Sequence, residues 1–220
     1  MVADTLRGRF ITLEGGEGVG KSTLQITLAS RLRDMGIEVV TTREPGGTQL
    51  AERVRELALR PPEGEAWSPL AEALLMNAAR CDHLDKLIRP ALAKGQWVIS
   101  DRFSDSTRVY QNVKGGVPQV VLLQIEESVI GDTRPDLTLV LDAPQAATNA
   151  RRTGRGSEPD AFESRPDAFH SAVRSAFQEL ARRDADRCRL IDAGQTADHV
   201  AASAWLEIER LISTQQANSK

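Results

Sequence analysis

The sequence predicts an α/β domain, a five-stranded parallel sheet with helices on both faces. Three observations predict it. Five short apolar, β-prone runs alternate along the chain with segments of helical periodicity, as in sheets buried on both faces. The first run leads into a glycine-rich loop and then a helix, read as Gly15-Gly16-Glu17-Gly18-Val19-Gly20-Lys21-Ser22. Loops rich in glycine or charge follow the runs, and right-handed crossovers gather such loops on one rim.

In chain order, Met1 to Gly8 is a short lead-in, and Phe10-Ile11-Thr12-Leu13 is the first strand. The loop then fits glycine, four residues, Gly20-Lys21-Ser22, the phosphate loop of the P-loop NTPase fold. Its glycines let backbone N–H groups turn inward around phosphate oxygens at the positive end of a helix. In that motif Lys21 reaches the β- and γ-phosphates and the Ser22 hydroxyl meets Mg²⁺. Lys21 is expected in a solvated loop rather than a core. Ser22 to Met35 is helical, with Leu24, Leu28, Ala29 and Leu32 at helical spacing, and Gly36 stops it. Glu38 to Thr41 is the second strand. Thr42-Arg43-Glu44-Pro45-Gly46-Gly47-Thr48 is a turn-rich loop at its carboxyl end, where ligands sit in open parallel sheets. Gln49 to Leu59 is a helix carrying Arg55, and Arg60 to Ser68 is a loop.

Pro69 to Lys94 reads as one long helix ended by Gly95. Gln96 to Ser100 is the third strand, ending in Asp101-Arg102. A helix from near Ser104 carries Ser106, Thr107, Tyr110 and Gln111, and Val120 to Val129 is another. Leu137 to Asp142 is the fourth strand. Arg151 to Pro166 is polar, basic and glycine-containing, and reads as a mobile loop. Asp167 to Ala185 is helical, Arg189 to Asp192 is the fifth strand, and Asp198 to Ile212 is an amphipathic helix. The expected organisation is a single domain over 1–212, with a flexible tail over 213–220.

Hydrophobic residues make up 40% and charged residues 27% of the 220-residue chain, ordinary values for a soluble globular protein. A net charge of -3 and a pI near 5.7 give no reason to expect nucleic acid or an acidic membrane as partner. Cys81 and Cys188 are far apart and match no metal spacing, so a reducing cytoplasm is expected. No apolar run reaches the roughly eighteen residues of a membrane span, and no apolar signal core opens the chain.

The rim is rich in arginine. Arg43, Arg55, Arg80 and Arg102 fall on four rim elements, while Arg151, Arg152 and Arg155 form a separate basic group. Guanidinium groups fork onto phosphate oxygens. Two groups imply two anionic ligands, which a transferase needs and a hydrolase does not. Asp101 ends an apolar strand, where it either serves a metal or caps the next helix; its position favours the metal. His83, His170 and His199 are scattered and read as structural or solvated.

The chain resembles the thymidylate kinase family, in its bacterial type. The resemblance rests on Phe10 to Thr23, Thr42 to Thr48, Leu75-Met76-Asn77-Ala78-Ala79-Arg80, Asp101 to Ser106, Tyr110-Gln111 and Arg134 to Asp142. These motifs run in family order from about Arg9 to Ile212. The resemblance implies a kinase that moves the γ-phosphoryl of ATP onto dTMP, with Mg²⁺ as cofactor, in a homodimer. It implies that Gly15, Gly16, Glu17, Gly18, Val19, Gly20, Lys21, Ser22 and Thr23 hold ATP, and that Ser22 and Asp101 serve Mg²⁺. Arg55 and Arg102 would grip the dTMP phosphate, with Glu17 and Glu44 near the sugar and acceptor side. Arg80 would donate to O4 of thymine, Ser106, Thr107 and Gln111 would line the pocket, and Tyr110 would pack on the sugar. Lys21, Arg102, Glu17 and the lid arginines Arg151 and Arg155 would act in transfer, the lid spanning about 151–166. Met76 stands where the family usually stacks a phenylalanine on thymine. Ala161 stands where many relatives have an arginine, leaving Arg151, Arg152, Arg155 and Arg165 as lid cations.

Two other readings compete. Another nucleoside monophosphate kinase would take dUMP, dCMP or a purine, but the donor-only Arg80 favours a carbonyl over the amino group of cytosine. A nucleotide-switch protein that binds guanine would need Asn-Lys-x-Asp after a strand, and the sequence has none there.

Overall fold

The computed structural model describes residues 7–153 and 160–218. Five parallel strands, β1 (Phe10–Gly15), β2 (Val39–Arg43), β3 (Trp97–Asp101), β4 (Leu137–Asp142) and β5 (Cys188–Asp192), lie in the order β2-β3-β1-β4-β5. The register pairs Leu13 with Asp101, Arg43 with Asp101, Gly15 with Leu141, and Asp142 with Asp192. The carboxyl ends of all five strands therefore share one rim, as the alternation of strands and helices requires.

Side chains alternate between the two faces of the sheet. Ile11, Leu13, Ile99 and Leu139 face α1 (Lys21–Asp34) and α9 (Ala197–Asn218), where Leu24, Leu28, Ala204 and Ile208 meet them. Phe10 and Val98 face the opposite layer, with Leu84, Leu92 and Phe103. That layer contains α3 (Pro69–His83), α4 (Arg89–Ala93), α5 (Ser104–Tyr110), α6 (Gln119–Ile130) and α8 (Asp167–Arg183). The remaining helices are α2 (Gln49–Leu59), which packs on α3, and α7 (Gln145–Thr153).

Three segments differ from the sequence reading. The helix expected over Pro69 to Lys94 contains a π-helical turn, Leu84–Ile88, in which Arg89 N–H bonds Leu84 O. Pro90 explains it: proline has no N–H and its ring crowds the carbonyl of residue 86, which the wider turn relieves. The start of the expected loop at Arg151 is helical, because Ala146, Ala147 and Ala150 sustain α7 through Thr153. The last helix runs on to Asn218 rather than ending at Ile212, since backbone hydrogen bonds propagate past the last apolar position.

Candidate active site

β1 ends in Gly15, at φ 128°. A Cβ there would lie 2.4 Å from Leu141 O, so only glycine fits. Lys21 opens α1 and is 7% exposed, not solvated as expected. Its Nζ donates to Gly16 O at 2.8 Å and Gly15 O at 3.4 Å, folding the side chain over the loop. Burial, with Arg102 nearby, lowers its pKa. Ser22 Oγ donates to Asp101 Oδ2 at 2.8 Å, which joins the loop to the end of β3. Asp101 caps no helix: α5 starts three residues later, at Ser104.

Arg102 follows with φ 72°, a left-handed backbone rare outside glycine. Its Nη1 donates to Gly15 O at 2.8 Å and Ser106 Oγ at 3.0 Å. Its Nη2 donates to Glu17 Oε1 at 2.6 Å and Tyr110 Oη at 3.0 Å. The single Tyr110 proton goes to Glu17 Oε1 at 3.0 Å, so the phenol oxygen is free to accept. Burial alone would raise the Glu17 carboxyl, but Arg102, Lys21 and the Tyr110 hydroxyl outweigh it and hold the group at about 2. The carboxylates around Arg102 likewise overcome its burial and raise its pKa.

The second group centres on Arg80, 2% exposed on α3. Its Nε donates to Glu44 Oε2 at 2.7 Å and Nη1 to Asn77 Oδ1 at 2.9 Å. Its Nη2 donates to Phe103 O at 3.2 Å and Thr107 Oγ1 at 3.0 Å. The other oxygen of Glu44 meets His83 Nδ1 at 3.0 Å, and His83 Nε2 meets Thr42 Oγ1 at 2.7 Å. His83 is thus a structural residue, as read. Gly47 belongs to the same packing, since a Cβ on it would lie 2.4 Å from both His83 and Thr42. Gln111 Nε2 donates to Glu72 Oε2 at 3.1 Å, and Arg165 pairs with Glu72 Oε1.

Two clefts open on this rim. One, of about 550 Å³, is walled by Met76, Arg80, Thr107, Tyr110, Gln111 and Phe162. The other is floored by Gly18, Gly20, Lys21, Ser22, Thr23 and Asp101. Glu17, Glu44, Arg55 and Arg102 line both, so the clefts meet along one wall. Arg55 Nη1 donates to Pro45 O at 2.8 Å, which aims the side chain along that wall.

The structure thus gathers most of the residues singled out in the sequence. Arg43 also lines the phosphate-loop cleft, as an exposed side chain paired with Glu52 at 3.0 Å. Arg151 lies on the phosphate-loop side, donating to Ala193 O at 3.2 Å and Val19 O at 3.5 Å. Arg165 is held by Glu72 and by the rings of Phe162 and Phe169. Arg155 lies outside the described residues. Sequence reasoning missed Glu72, Asn77, Asp160 and Phe162. Asn77 stands three residues before Arg80 on one helix face, a spacing that could have flagged it; Asp160 accepts locally from Phe162 N and Glu163 N, whereas Glu72 meets Gln111 and Arg165 only through the fold.

A parallel sheet with a phosphate loop after β1, and a second cleft sharing its arginine wall, defines the class of P-loop nucleotide kinases. Comparison with known proteins narrows the class. A family model described as thymidylate kinase matches residues 13–204. A thymidylate kinase of Caulobacter vibrioides is 48% identical over 197 residues, covering 90% of this chain and 94% of its own. One from Pseudomonas fluorescens is 52% identical over 195 residues, covering 89% and 92%. The crystal structure of thymidylate kinase from Ehrlichia chaffeensis superposes with a TM-score of 0.72 at 32% identity, covering 94% of this chain and 99% of that one. The chain belongs to the thymidylate kinase family.

Proposed function

We propose that the chain transfers the γ-phosphoryl group of ATP to dTMP, giving dTDP and ADP, the reaction of its family. The shared wall of the two clefts carries this reading. A donor nucleotide on the phosphate loop and an acceptor in the second cleft would face each other across Arg55 and Arg102. A hydrolase has no use for a second walled cleft beside its phosphate site.

The roles follow from the chemistry of each group. Gly15 to Thr23 present backbone N–H groups and Lys21 to the ATP phosphates. Arg102 and Arg55 hold the dTMP phosphate, and Arg102 also reaches the transferring group. Positive charge around the equatorial oxygens stabilises a loose phosphoryl transition state. Glu17 and Tyr110 fix Arg102 and border the sugar, and Glu44 fixes Arg80. Four of the five Arg80 N–H donors are committed to protein acceptors. One N–H on Nη1 remains for O4 of thymine. Gln111 turns its NH₂ to Glu72, so its carbonyl is left to accept from the imide N–H of the base. Met76 packs on the base, and Thr107 and Ser106 complete the wall. Arg151 and Arg155 belong to a lid that closes over the phosphates and excludes water.

The residues present fit Mg²⁺. Ser22 and Asp101 supply hard oxygen donors beside the phosphate loop. Among the described residues no cluster of three or more His, Cys, Asp or Glu forms a metal cage. Mg²⁺ is commonly held by one or two protein oxygens with substrate phosphates and water. Held there with the ATP phosphates, it would neutralise the negative charge that develops during transfer.

A homodimer is proposed on a second observation. Leu50 and Leu57 on α2, Leu70 and Leu74 on α3, and Val120 and Leu123 on α6 are all exposed, and α3 packs against both neighbours. Exposed apolar side chains on three helices packed together would suit an association surface. A cytoplasmic location is proposed from the unpaired Cys81 and Cys188. Among the described residues no helix is long and apolar enough to cross a membrane.

A coupled ADP-release assay with dTMP, dUMP, dCMP, dGMP and no acceptor tests the reaction. Turnover greatest with dTMP is expected; equal ADP release without acceptor would mean a hydrolase. Sedimentation velocity tests the dimer.

A further inference from the structure

Glu14 has no part in the roles above, yet it is fully buried below Arg102. Strand alternation places Phe10, Thr12 and Glu14 on the side of β1 opposite Ile11 and Leu13. Glu14 Oε1 accepts from Phe103 N at 2.8 Å and from Ser106 N at 3.3 Å, and Oε2 accepts from Ser106 Oγ at 2.6 Å. The hydroxyl has one proton, and the charge-assisted bond to the carboxylate takes it. Ser106 Oγ therefore meets Arg102 Nη1, 3.0 Å away, as an acceptor.

Phe103 N is an orphan donor at the start of α5, which has no side-chain cap of its own, and Ser106 N is shared between Glu14 Oε1 and Phe103 O, the latter 3.2 Å away. Glu14 supplies that cap from another element. Arg102 stands between β3 and α5 with its left-handed backbone, a conformation that persists only where the surroundings fix it. Glu14 thus holds the residues after Arg102 and also sets the donor and acceptor sense of the hydroxyl beside its guanidinium.

We propose that Glu14 is a positioning residue for phosphoryl transfer, acting through the Ser106 hydroxyl and the start of α5 to fix Arg102 against the phosphate loop. The negative charge at this position does not itself serve stability. Burial, and next the charge of Asp105, push it up to about 7, against the pull of Arg102, Ser106 and Phe103. A neutral amide would be easier to bury. It would also turn an NH₂ toward Ser106 Oγ, which would then face two donors. The proposal rests on the reading of Arg102 as the arginine that grips phosphate.

The test compares Glu14→Gln, Ser106→Ala, the double variant and Arg102→Ala with wild type at pH 8, by steady-state kinetics and thermal unfolding. Glu14→Gln is expected to keep or raise Tm while kcat falls at least about tenfold and KM for ATP changes less than about threefold. In the Ser106→Ala background the same substitution should lower kcat by less than about threefold more, since both changes break one route. A structural role alone would lower Tm together with activity and leave the two kcat losses multiplicative, and either result overturns the proposal. So does wild-type kcat in Glu14→Gln when Arg102→Ala is impaired. Wild-type kcat in Arg102→Ala would instead overturn the reading of Arg102, and Glu14 with it. Should Glu14→Gln not fold, Glu14→Asp replaces it. Aspartate keeps the charge but falls a methylene short of Ser106, so the same loss of kcat is expected and wild-type kcat overturns the proposal.

Discussion

Arg80 Nε and Glu44 Oε2 lie 2.7 Å apart, with side chains only 3% and 4% exposed. The pair joins α3 to the loop after β2 and sets the guanidinium at the head of the second cleft. Neither group has water to fall back on. Removing one partner of a buried ion pair typically costs about 3–5 kcal/mol, because the other charge stays buried. Arg80→Ala and Glu44→Ala should each lower stability by about that amount, with His83 moderating the loss at Arg80. The double variant should lose less than the sum, as residues in contact do. Urea unfolding of the three variants measures this. Arg80→Ala should also raise KM for dTMP and weaken the preference for dTMP over dCMP; an unchanged preference would remove Arg80 from base recognition.

Glu17 and Glu14 predict opposite dependences of stability on pH. Glu17 titrates at about 2 in the fold, against 4.5 ordinarily. Its depressed pKa contributes stability above pH 4.5 that is lost as pH falls toward 2. Glu14 titrates at about 7, against 4.5 ordinarily. Between pH 4.5 and 7 the unfolded chain has released a proton that the folded chain keeps, so stability falls as pH rises through that window. The limiting slope for one proton is about 1.4 kcal/mol per pH unit. Glu14→Gln should flatten the decline between pH 4.5 and 7, while Glu17→Gln should flatten the loss below 4.5. Unfolding free energies across pH 3 to 8 decide both, and a Glu14→Gln curve parallel to wild type would exclude a raised Glu14.

Much of this site was legible because its signals are local. The phosphate loop, the strand ends and the arginines are read from a few adjacent residues, and a parallel sheet brings strand ends together whatever lies between. Met76 and Arg80 share a helix face by spacing alone, and both line the second cleft. What stayed hidden depends on pairing across distance. Glu72 meets Arg165 across 93 positions, and Glu14 meets Ser106 across 92. The burial of Lys21 was hidden too, since the fold of a side chain back over its own loop leaves no mark in hydrophobic periodicity. The π turn follows from Pro90, but proline signals a break in a helix more plainly than a widened turn.

Arg151 is expected to act in the transition state rather than in dTMP binding. It stands at the end of α7, on the phosphate-loop side, donating to Ala193 O and Val19 O. Those carbonyl contacts fix no charge, so the guanidinium can turn to phosphate as ATP binds. Arg151→Ala should lower kcat by about 10²–10³, the usual cost of removing one donor from a developing charge. KM for dTMP should change less than about threefold. A variant with wild-type kcat and raised KM for ATP would make Arg151 a binding residue only.

Met76 tests how the base is held. It stands one helical turn before Arg80, is 8% exposed, and lines the second cleft while packing in a cluster with Val109, Tyr110 and Phe162. It therefore serves both the core and the cleft, and a single truncation would mix the two. Met76→Ala should raise KM for dTMP with little change in kcat, because the base does not change during transfer. It should also destabilise the fold by about 2–5 kcal/mol through the cavity it leaves. Met76→Leu separates these effects, since the volume is kept and the stability cost should stay below about 1.5 kcal/mol. What leucine lacks is the polarizable sulfur, whose contact with an aromatic ring contributes about 0.3–1.5 kcal/mol, or up to about tenfold in KM. Met76→Phe should keep activity with KM for dTMP within about tenfold of wild type, because ring stacking spans a similar 0.5–1.5 kcal/mol. Steady-state kinetics with urea unfolding on all three variants is the measurement. If Met76→Ala and Met76→Leu both leave KM for dTMP at the wild-type value, Met76 touches only the core and thymine lies elsewhere in the cleft.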